Sequence, residues 1–179
     1  MFNRVTLLRN QFLLISDPVL SSFLSFSVDH QPELGRYDLR IKSATYERDN
    51  GNFECRKVES GTGNKLHSVS VELVVLLPPG QPSLAPTGQT VTEGKALNLT
   101  CSSVGGSPPP AITWYRDNEE LEALYIPGTS RTQASSAVLT LVPRKEDDDA
   151  SYRCTVWNRA IPEANIMEAA TTIDVNCKS

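Results

Sequence analysis

The stretch Asp148-Asp149-Ala150-Ser151-Tyr152-Arg153-Cys154 decides the fold, together with Cys101 and Trp114 upstream of it. Around each of these anchors, apolar residues recur at every second position. Leu99 lies two residues before Cys101, and Ile112 lies two residues before Trp114. Alternation of this kind is typical of β-strands with one buried face. The sequence therefore predicts an all-β protein whose sheets pack their apolar faces against each other.

The arrangement of these anchors is typical of an immunoglobulin-like β-sandwich. In that fold, cysteines on strands B and F bridge the two sheets, and a strand C tryptophan packs on the bridge. We therefore expect a Cys101–Cys154 disulfide with Trp114 against it. Tyr152, two residues before the second cysteine, is expected as the corner tyrosine, whose hydroxyl bonds back to the upstream backbone. The predicted inward rows are Leu97, Leu99 and Cys101 on strand B, Ile112 and Trp114 on C, Leu139 and Leu141 on E, Tyr152, Cys154 and Val156 on F, and Ile173 and Val175 on G.

A weaker copy of the motif, Asp49-Asn50-Gly51-Asn52-Phe53-Glu54-Cys55, lies about 100 residues earlier, the length of one immunoglobulin domain. A strand E pattern runs from Tyr37 to Ile41, and residues 69–77 alternate like a strand G with one buried face. Leu24 to Val28 is interpreted as strand D, and Val5 to Leu8 as a remnant of strand C′. The chain is thus predicted to hold tandem sandwiches.

No cysteine and no tryptophan precedes Cys55. We therefore interpret residues 1–77 as a partial domain running from strand C′ or D to strand G. A proline-rich linker is expected at 78–81, and a complete domain of the I-set or C2-like type at 82–179. Cys55 and Cys177 are expected to be unpaired. The alternatives are a Cys55–Cys177 bridge and a divergent first sandwich that lacks the bridge.

Composition and charge exclude several classes of function. A net charge of −4 over 179 residues argues against a nucleic-acid binder, which would carry a basic face. We find no cysteine pair with metal-ligand spacing, no phosphate-binding glycine loop and no catalytic constellation. Asp148 is interpreted as the motif aspartate of the E–F turn, with Asp147 and Asp149 solvated beside it. The sequence predicts no enzyme activity, no cofactor, no metal and no small-molecule substrate.

Disulfides persist in oxidising compartments such as the extracellular space. The N-glycosylation sequon Asn98-Leu99-Thr100 is consistent with the same location. Alternation that buries Leu99 and Cys101 turns Asn98 outward, so a glycan there would be accessible. The apolar run from Phe12 to Ile15 is too short for a signal peptide, and no stretch reaches the roughly 20 apolar residues of a membrane span. A leader and a membrane anchor are therefore expected outside this sequence.

Alternation also turns Tyr115, Arg153 and Trp157 outward on the sheet that carries strands C, F and G. Tyrosine, arginine and tryptophan dominate the energetic centres of protein interfaces, so these three residues are candidates for partner binding. One alternative is that Trp157 shields the sheet edge or packs under the F–G loop. Another is that Arg153 stacks on Tyr115 as a local contact that takes no part in binding.

The sequence resembles the Echinoid-like immunoglobulin cell-adhesion receptors most. It also resembles, less strongly, the nephrin-like receptors. The stretches that carry the resemblance are Gly35-Arg36-Tyr37-Asp38-Leu39-Arg40-Ile41, Tyr46-Glu47-Arg48-Asp49-Asn50-Gly51, Ser102-Ser103-Val104-Gly105-Gly106-Ser107-Pro108, Ile112-Thr113-Trp114-Tyr115-Arg116 and Cys154-Thr155-Val156-Trp157-Asn158-Arg159-Ala160-Ile161-Pro162-Glu163. The resemblance implies a plasma-membrane receptor of cell junctions that binds itself or related immunoglobulin receptors on neighbouring cells. It also implies modulation of growth-factor receptor, Notch or Hippo signalling.

Two other functions compete with adhesion. The chain could be a ligand-binding segment of the ectodomain of a receptor kinase or phosphatase. It could also be an intracellular, muscle-type immunoglobulin repeat, which folds without a disulfide in a reducing cytosol.

Overall fold

The computed structural model describes residues 4–9, 12–15, 25–59 and 61–176. The chain divides into two compact units, Met1–Val75 and Leu76–Ser179. Strands dominate both units. In the described residues the helices are one short α-helix, α1 (Tyr46–Asp49), and three 3₁₀ turns (Pro32–Leu34, Lys145–Asp147 and Glu163–Asn165). The prediction of an all-β fold is confirmed.

The first unit contains a four-stranded sheet and a separate hairpin. Its strands are β1 (Arg4–Arg9), β2 (Phe12–Ile15), β3 (Phe26–Gln31), β4 (Arg36–Ile41), β5 (Gly51–Val58) and β6 (Lys65–Leu73). The sheet has the order β2-β1-β5-β6, and β3 pairs with β4. The predicted strand E is confirmed as β4. The predicted strand D overlaps β3, although Leu24 lies outside the described residues.

The second unit is a sandwich of two five-stranded sheets. Its strands are β7 (Leu77–Pro79), β8 (Ser83–Ala85), β9 (Gln89–Thr92), β10 (Leu97–Ser107), β11 (Ala111–Arg116), β12 (Glu119–Leu121), β13 (Leu124–Ile126), β14 (Ala134–Leu141), β15 (Ala150–Trp157) and β16 (Met167–Asn176). One sheet has the order β13-β14-β10-β7, with β8 also paired to β10, and we call it the B sheet. The other has the order β12-β11-β15-β16-β9, and we call it the F sheet.

Strand β1 is not the remnant strand C′ that Val5 to Leu8 suggested. It pairs directly with β5, with Leu7 opposite Cys55. In the second unit β11 pairs with β15 in the same way, with Trp114 opposite Cys154. The register therefore makes β1 the counterpart of strand C and β2 the counterpart of strand C′. Because leucine stands at the register position of the tryptophan, the sequence motif that marks strand C is missing.

Strand β6 forms as predicted but ends at Leu73, and its expected buried face is exposed. Val71 lies opposite the buried Phe53, and Val69 lies opposite Cys55. Nevertheless these two valines are 63% and 59% exposed. In the second unit the equivalent strand β16 has β9 as a second neighbour, whereas β6 ends its sheet. As the last strand of its sheet, β6 has a neighbouring strand on one side only, so its side chains have fewer neighbours to cover them than those of β16.

The linker predicted at 78–81 is corrected by the pairing of β7. Pro79 lies opposite Gly105 of β10, and the Gly80 amide donates to the Val104 carbonyl at 2.8 Å. The Ser103 hydroxyl also donates to the Gly80 carbonyl at 2.7 Å. Proline is tolerated at the edge of a sheet, where its missing amide removes no ladder bond. The proline-rich stretch is therefore the first strand of the second unit.

The core of the second unit lies between its sheets, around the predicted disulfide. Cys101 and Cys154 are bonded, and Trp114 is fully buried. The Trp114 Nε1 atom donates to the Ala137 carbonyl at 3.0 Å, which satisfies the only polar atom of the indole. The buried residues of the core are Leu99, Cys101, Ile112, Trp114, Ala137, Leu139, Tyr152, Cys154, Val156, Ile173 and Val175. The predicted Leu97 and Leu141 pack against this core but are only partly buried.

The corner tyrosine bonds to a side chain, not to the backbone as expected. The Tyr152 hydroxyl donates to Asp147 Oδ1 at 3.2 Å. Asp147 is buried, accepts the Arg144 amide at 2.7 Å and forms an ion pair with Arg116. Asp147 is therefore the structural aspartate of this turn, and it is not solvated. Asp148 has a different role, since its Oδ1 accepts the Val175 amide at 2.8 Å and ties the turn to β16.

Burial, followed by the negative charge of Asp147, raises the pKa of Tyr152 to about 12. An unfolded chain loses this proton near the usual pKa of about 10. Between about pH 10 and pH 12 the unfolded state thus holds fewer protons than the folded state, and stability falls as pH rises. We expect Tyr152→Phe to cost about 1 kcal/mol at pH 7 and to flatten this alkaline fall. Chemical unfolding at pH 7, 9 and 11 measures both effects. An equal alkaline fall in both proteins would assign it to other groups.

Candidate functional site

The structure brings Tyr115 and Arg153 together on the outer face of the F sheet. The two residues are direct register partners on β11 and β15. The Arg153 guanidinium lies over the Tyr115 ring, with Cζ 4.9 Å from the ring centroid. Both side chains are half-buried. A planar cation on an aromatic face is held in one orientation, so its donors point in fixed directions.

Two residues that the sequence analysis did not name hold the guanidinium from its sides. Arg153 Nη1 donates to Glu168 Oε2 at 3.0 Å, and Nη2 donates to Asn118 Oδ1 at 3.4 Å. Alternation along β16 could have indicated Glu168, because the buried Ile173 and Thr171 leave the even-numbered positions outward. We call Tyr115, Asn118, Arg153 and Glu168 the arginine cluster.

Asn118 reaches the arginine cluster through the turn between β11 and β12. Asp117 and Asn118 have φ angles of 48° and 73°. Positive φ at both central residues is the signature of a two-residue type I′ hairpin turn, which favours asparagine and aspartate. The Asp-Asn dipeptide was therefore a signal for the turn, but its contact with Arg153 depends on the F sheet and could not be derived from it.

Trp157, the third predicted binding residue, does not join the arginine cluster. It lies four residues beyond Arg153 on β15, about 13 Å along the strand. Its Nε1 atom donates to the Ile161 carbonyl at 3.0 Å. The indole therefore anchors the loop that follows β15, in agreement with the alternative that Trp157 packs under the F–G loop.

The outer face of the B sheet differs from the F sheet in charge. Its paired strands carry no charged side chain at any outward position. These positions are Ser83, Ala85, Asn98, Thr100, Ser102, Val104, Leu124, Ile126, Ala134, Ser136, Val138 and Thr140. We call this surface the uncharged face. The predicted glycosylation residue Asn98 lies on it and is exposed, as alternation along β10 required.

The remaining candidates do not form a reactive site. Cys55 is half-buried and has no disulfide partner among the described residues; burial raises the pKa of its thiol and so suppresses the reactive thiolate. Cys177 lies outside the described residues. In the part of the chain that the structure describes, no group of three or more histidine, cysteine, aspartate or glutamate residues is placed to hold a metal ion. Over those same residues, no helix is long and apolar enough to cross a membrane.

Comparisons with known proteins agree with this architecture. Residues 81–158 match the immunoglobulin domain family. The chain is similar to human Kin of IRRE-like protein 2, with 31% identity over 134 residues, which cover 72% of this chain and 18% of that protein. It is also similar to human junctional adhesion molecule A, with 32% identity over 127 residues, covering 67% of this chain and 41% of that protein.

Among solved structures, the crystal structure of Rst D1-D2 superposes with a TM-score of 0.66 at 25% identity. The match covers 97% of this chain and 86% of that structure. The chain spans only 18% and 41% of the lengths of the two sequence relatives named above. The chain is built of tandem immunoglobulin-like sandwiches and is similar, at about 30% identity, to immunoglobulin-domain cell-adhesion proteins.

Proposed function

We propose that this chain is an extracellular recognition segment of a cell-adhesion receptor, which binds copies of itself or related immunoglobulin receptors on neighbouring cells. The observation that carries the proposal is the arginine cluster on an open sheet face, in a chain similar to junctional adhesion molecule A. Arginine and tyrosine are enriched in the energetic centres of interfaces. Recognition would use surface complementarity alone, without catalysis or a cofactor.

The arginine cluster suits binding between two copies because it carries both signs of charge. Arg153 and Glu168 are 3.0 Å apart within one copy. In a contact with two-fold symmetry the same surface serves on both sides, so Arg153 of each copy can exchange its partner for Glu168 of the other. Such an exchange keeps every charge paired while two F sheets come together. Complementary charges of this kind contribute to specificity and association rate more than to affinity.

Two finer statements belong to the same proposal. The resemblance to Echinoid-like receptors supports a location at cell junctions, on the outer face of the plasma membrane, as part of a longer receptor. The same resemblance supports modulation of growth-factor receptor, Notch or Hippo signalling. The similarity to cell-adhesion proteins does not by itself imply either statement. Localisation in cells tests the first, and signalling assays in cells test the second.

Charge reversal at Arg153 tests the proposed surface. Arg153→Glu removes the cation from Tyr115 and places a second carboxylate beside Glu168. If Arg153 is an interface centre, its loss costs more than about 1.4 kcal/mol of binding, which is about a tenfold loss of affinity. We therefore expect suspension cells that display the variant chain to aggregate much less than cells that display the parent chain.

Arg144→Glu is the matched control, since it makes the same charge change at an exposed arginine of the turn before β15. We expect it to leave cell aggregation at the parent level. Thermal unfolding should show that both variants remain folded, because each charge reversal breaks a solvent-accessible ion pair, which contributes about 1 kcal/mol or less. Normal aggregation by the Arg153 variant would show that the F sheet is not the recognition surface.

A further inference from the structure

The uncharged face carries an exposed apolar patch that the proposed function does not use. Leu124 is 66% exposed, Val104 is 52% exposed and Ile126 is 47% exposed. Leu124 lies beside Val138, which lies beside Thr100 of β10, so the three strands form one continuous surface. Exposed apolar patches mark either a covered surface or a tendency to aggregate. The question is therefore what covers this face.

The sequon lies on the same surface. Asn98 and Thr100 are consecutive outward-facing residues of β10. Thr100 is the third residue of the sequon that begins at Asn98. Leu124 lies two strands away from β10, a separation of about 10 Å across the sheet. In register it is level with Thr100, which is two residues, or about 7 Å, beyond Asn98 along the strand. A few sugar rings span that distance. A glycan on Asn98 therefore starts about 12 Å from Leu124. Val104 lies about 20 Å from Asn98 along β10, so a branched oligosaccharide is needed to reach it.

The local hydrogen bonding orients the acceptor residue. The Thr140 hydroxyl on the adjacent strand donates to Asn98 Oδ1 at 2.9 Å. This bond uses the oxygen and not Nδ2, the nitrogen to which an N-linked glycan is attached. The side chain is thus held by one end across two strands of a rigid sheet. A glycan attached at the other end would begin from a fixed position and not from a mobile loop.

We propose that an N-linked glycan on Asn98 lies over the uncharged face, covers Leu124, Ile126 and Val104, and prevents the chain from associating through them. This inference rests on the proposed extracellular function, because N-glycosylation requires passage through the secretory pathway. The surface suits an oligosaccharide in two ways. Its aliphatic side chains match the apolar faces of sugar rings, and the hydroxyls of Thr100 and Ser102 match sugar hydroxyls.

An attached glycan is also a more effective cover than a separate protein. The tether supplies it at high effective concentration and removes most of the entropy cost of association. A protein partner docked on the same face would have to bury Asn98 and would collide with any glycan there. Glycosylation would therefore assign the two sheets different roles: the B sheet is covered, and the F sheet with its arginine cluster stays open for recognition.

The test uses the full chain, secreted from eukaryotic cells behind a supplied leader. The comparison sets the parent against Asn98→Gln, against Asn98→Gln with Leu124→Lys, and against Asn98→Gln with Gly88→Asn. The last change creates a sequon with Gln89 and Thr90 at the start of β9, the edge strand of the F sheet, and leaves the arginine cluster uncovered. Gly88 is exposed, its φ of 58° is one that asparagine adopts, and an added Cβ would meet nothing within 4 Å. Mass spectrometry reports glycan occupancy, sedimentation velocity reports association, and the fluorescence of an apolar dye reports exposed patches. The exposed valines of β6 are common to all four proteins and cancel in the comparison.

We expect the parent to carry a glycan at Asn98 and to sediment more slowly, with less dye fluorescence, than Asn98→Gln. Leu124→Lys should reverse the association of Asn98→Gln, and a glycan on the opposite sheet should not. An unmodified Asn98 in the parent, or equal association with and without the glycan, would overturn the inference. So would full rescue by the relocated glycan, which would show general solubilisation. None of these results bears on adhesion, which the Arg153 aggregation assay decides separately.

Discussion

Trp114→Ala is expected to destabilise the second unit by about 3–5 kcal/mol, the range observed when a buried aromatic side chain is removed from a core. Trp114 is fully buried against the disulfide and lies between the two sheets. Its removal leaves a cavity that rigid paired strands cannot close. It also leaves the Ala137 carbonyl without its donor. A domain of this size has about 5–15 kcal/mol of stability in total, so the loss removes much of it.

Chemical unfolding followed by fluorescence measures this loss in the second unit alone. The chain has two tryptophans, Trp114 and Trp157, and both belong to that unit. Trp157 therefore remains as the reporter in the variant. Trp114→Phe is the control, since it keeps an aromatic ring in the core. It loses the hydrogen bond to Ala137 and only part of the buried ring volume, so it should cost less than half as much. A loss below about 1 kcal/mol for the alanine variant would contradict the role of Trp114 in the core.

The core of the second unit could be derived from the sequence because a single rule governs it. Side chains alternate along a strand, so fixing one inward residue fixes the rest of its row. Cys154 sets Tyr152 and Val156, and the structure buries all three. The same rule placed Tyr115 and Arg153 on a common outer face, where they are register partners. In a regular strand, a motif therefore predicts the orientation of side chains several residues away.

The turn before β15 shows where that rule fails. The motif counted back from Cys154 selects Asp148, whereas the structure buries Asp147 against Arg116 and Tyr152. Asp149 has φ of 59° and lies outside both the 3₁₀ turn and the strand. This additional residue shifts the roles of the aspartates by one position. Alternation does not apply in a turn, so only the backbone geometry decides which carboxylate faces inward.

The first unit shows the same turn without the shift. Asp49 is fully buried, accepts the Thr45 amide at 2.7 Å and pairs with Arg48. Asn50 Oδ1 accepts the Val75 amide at 2.9 Å, as Asp148 accepts that of Val175. Asp49 and Asn50 therefore correspond to Asp147 and Asp148. The repeat was visible in the sequence, but its alignment within the turn could be set only by these hydrogen bonds.

Removal of the disulfide is the second change with a large expected effect. Cys101 and Cys154 are 53 residues apart in the sequence. Closing a loop of this length reduces the entropy of the unfolded chain, and the chain-entropy relation gives about 4 kcal/mol of stabilisation. The double variant Cys101→Ala/Cys154→Ala should lose about this amount. Equilibrium unfolding in guanidinium, again followed by tryptophan fluorescence, compares the variant with the oxidised parent.

Two controls separate the bridge from other effects of cysteine replacement. Cys55→Ser removes a thiol from the first unit, where no disulfide is formed within the described residues, and should not change the unfolding of the second unit. Reduction of the parent should reproduce the loss of the double variant, since both lift the same constraint on the unfolded chain. If the reduced parent kept its full stability, the packing around Trp114 and Tyr152 would hold the sheets together without the bridge. The second unit could then also fold in a reducing compartment, and the disulfide would no longer argue for an extracellular location.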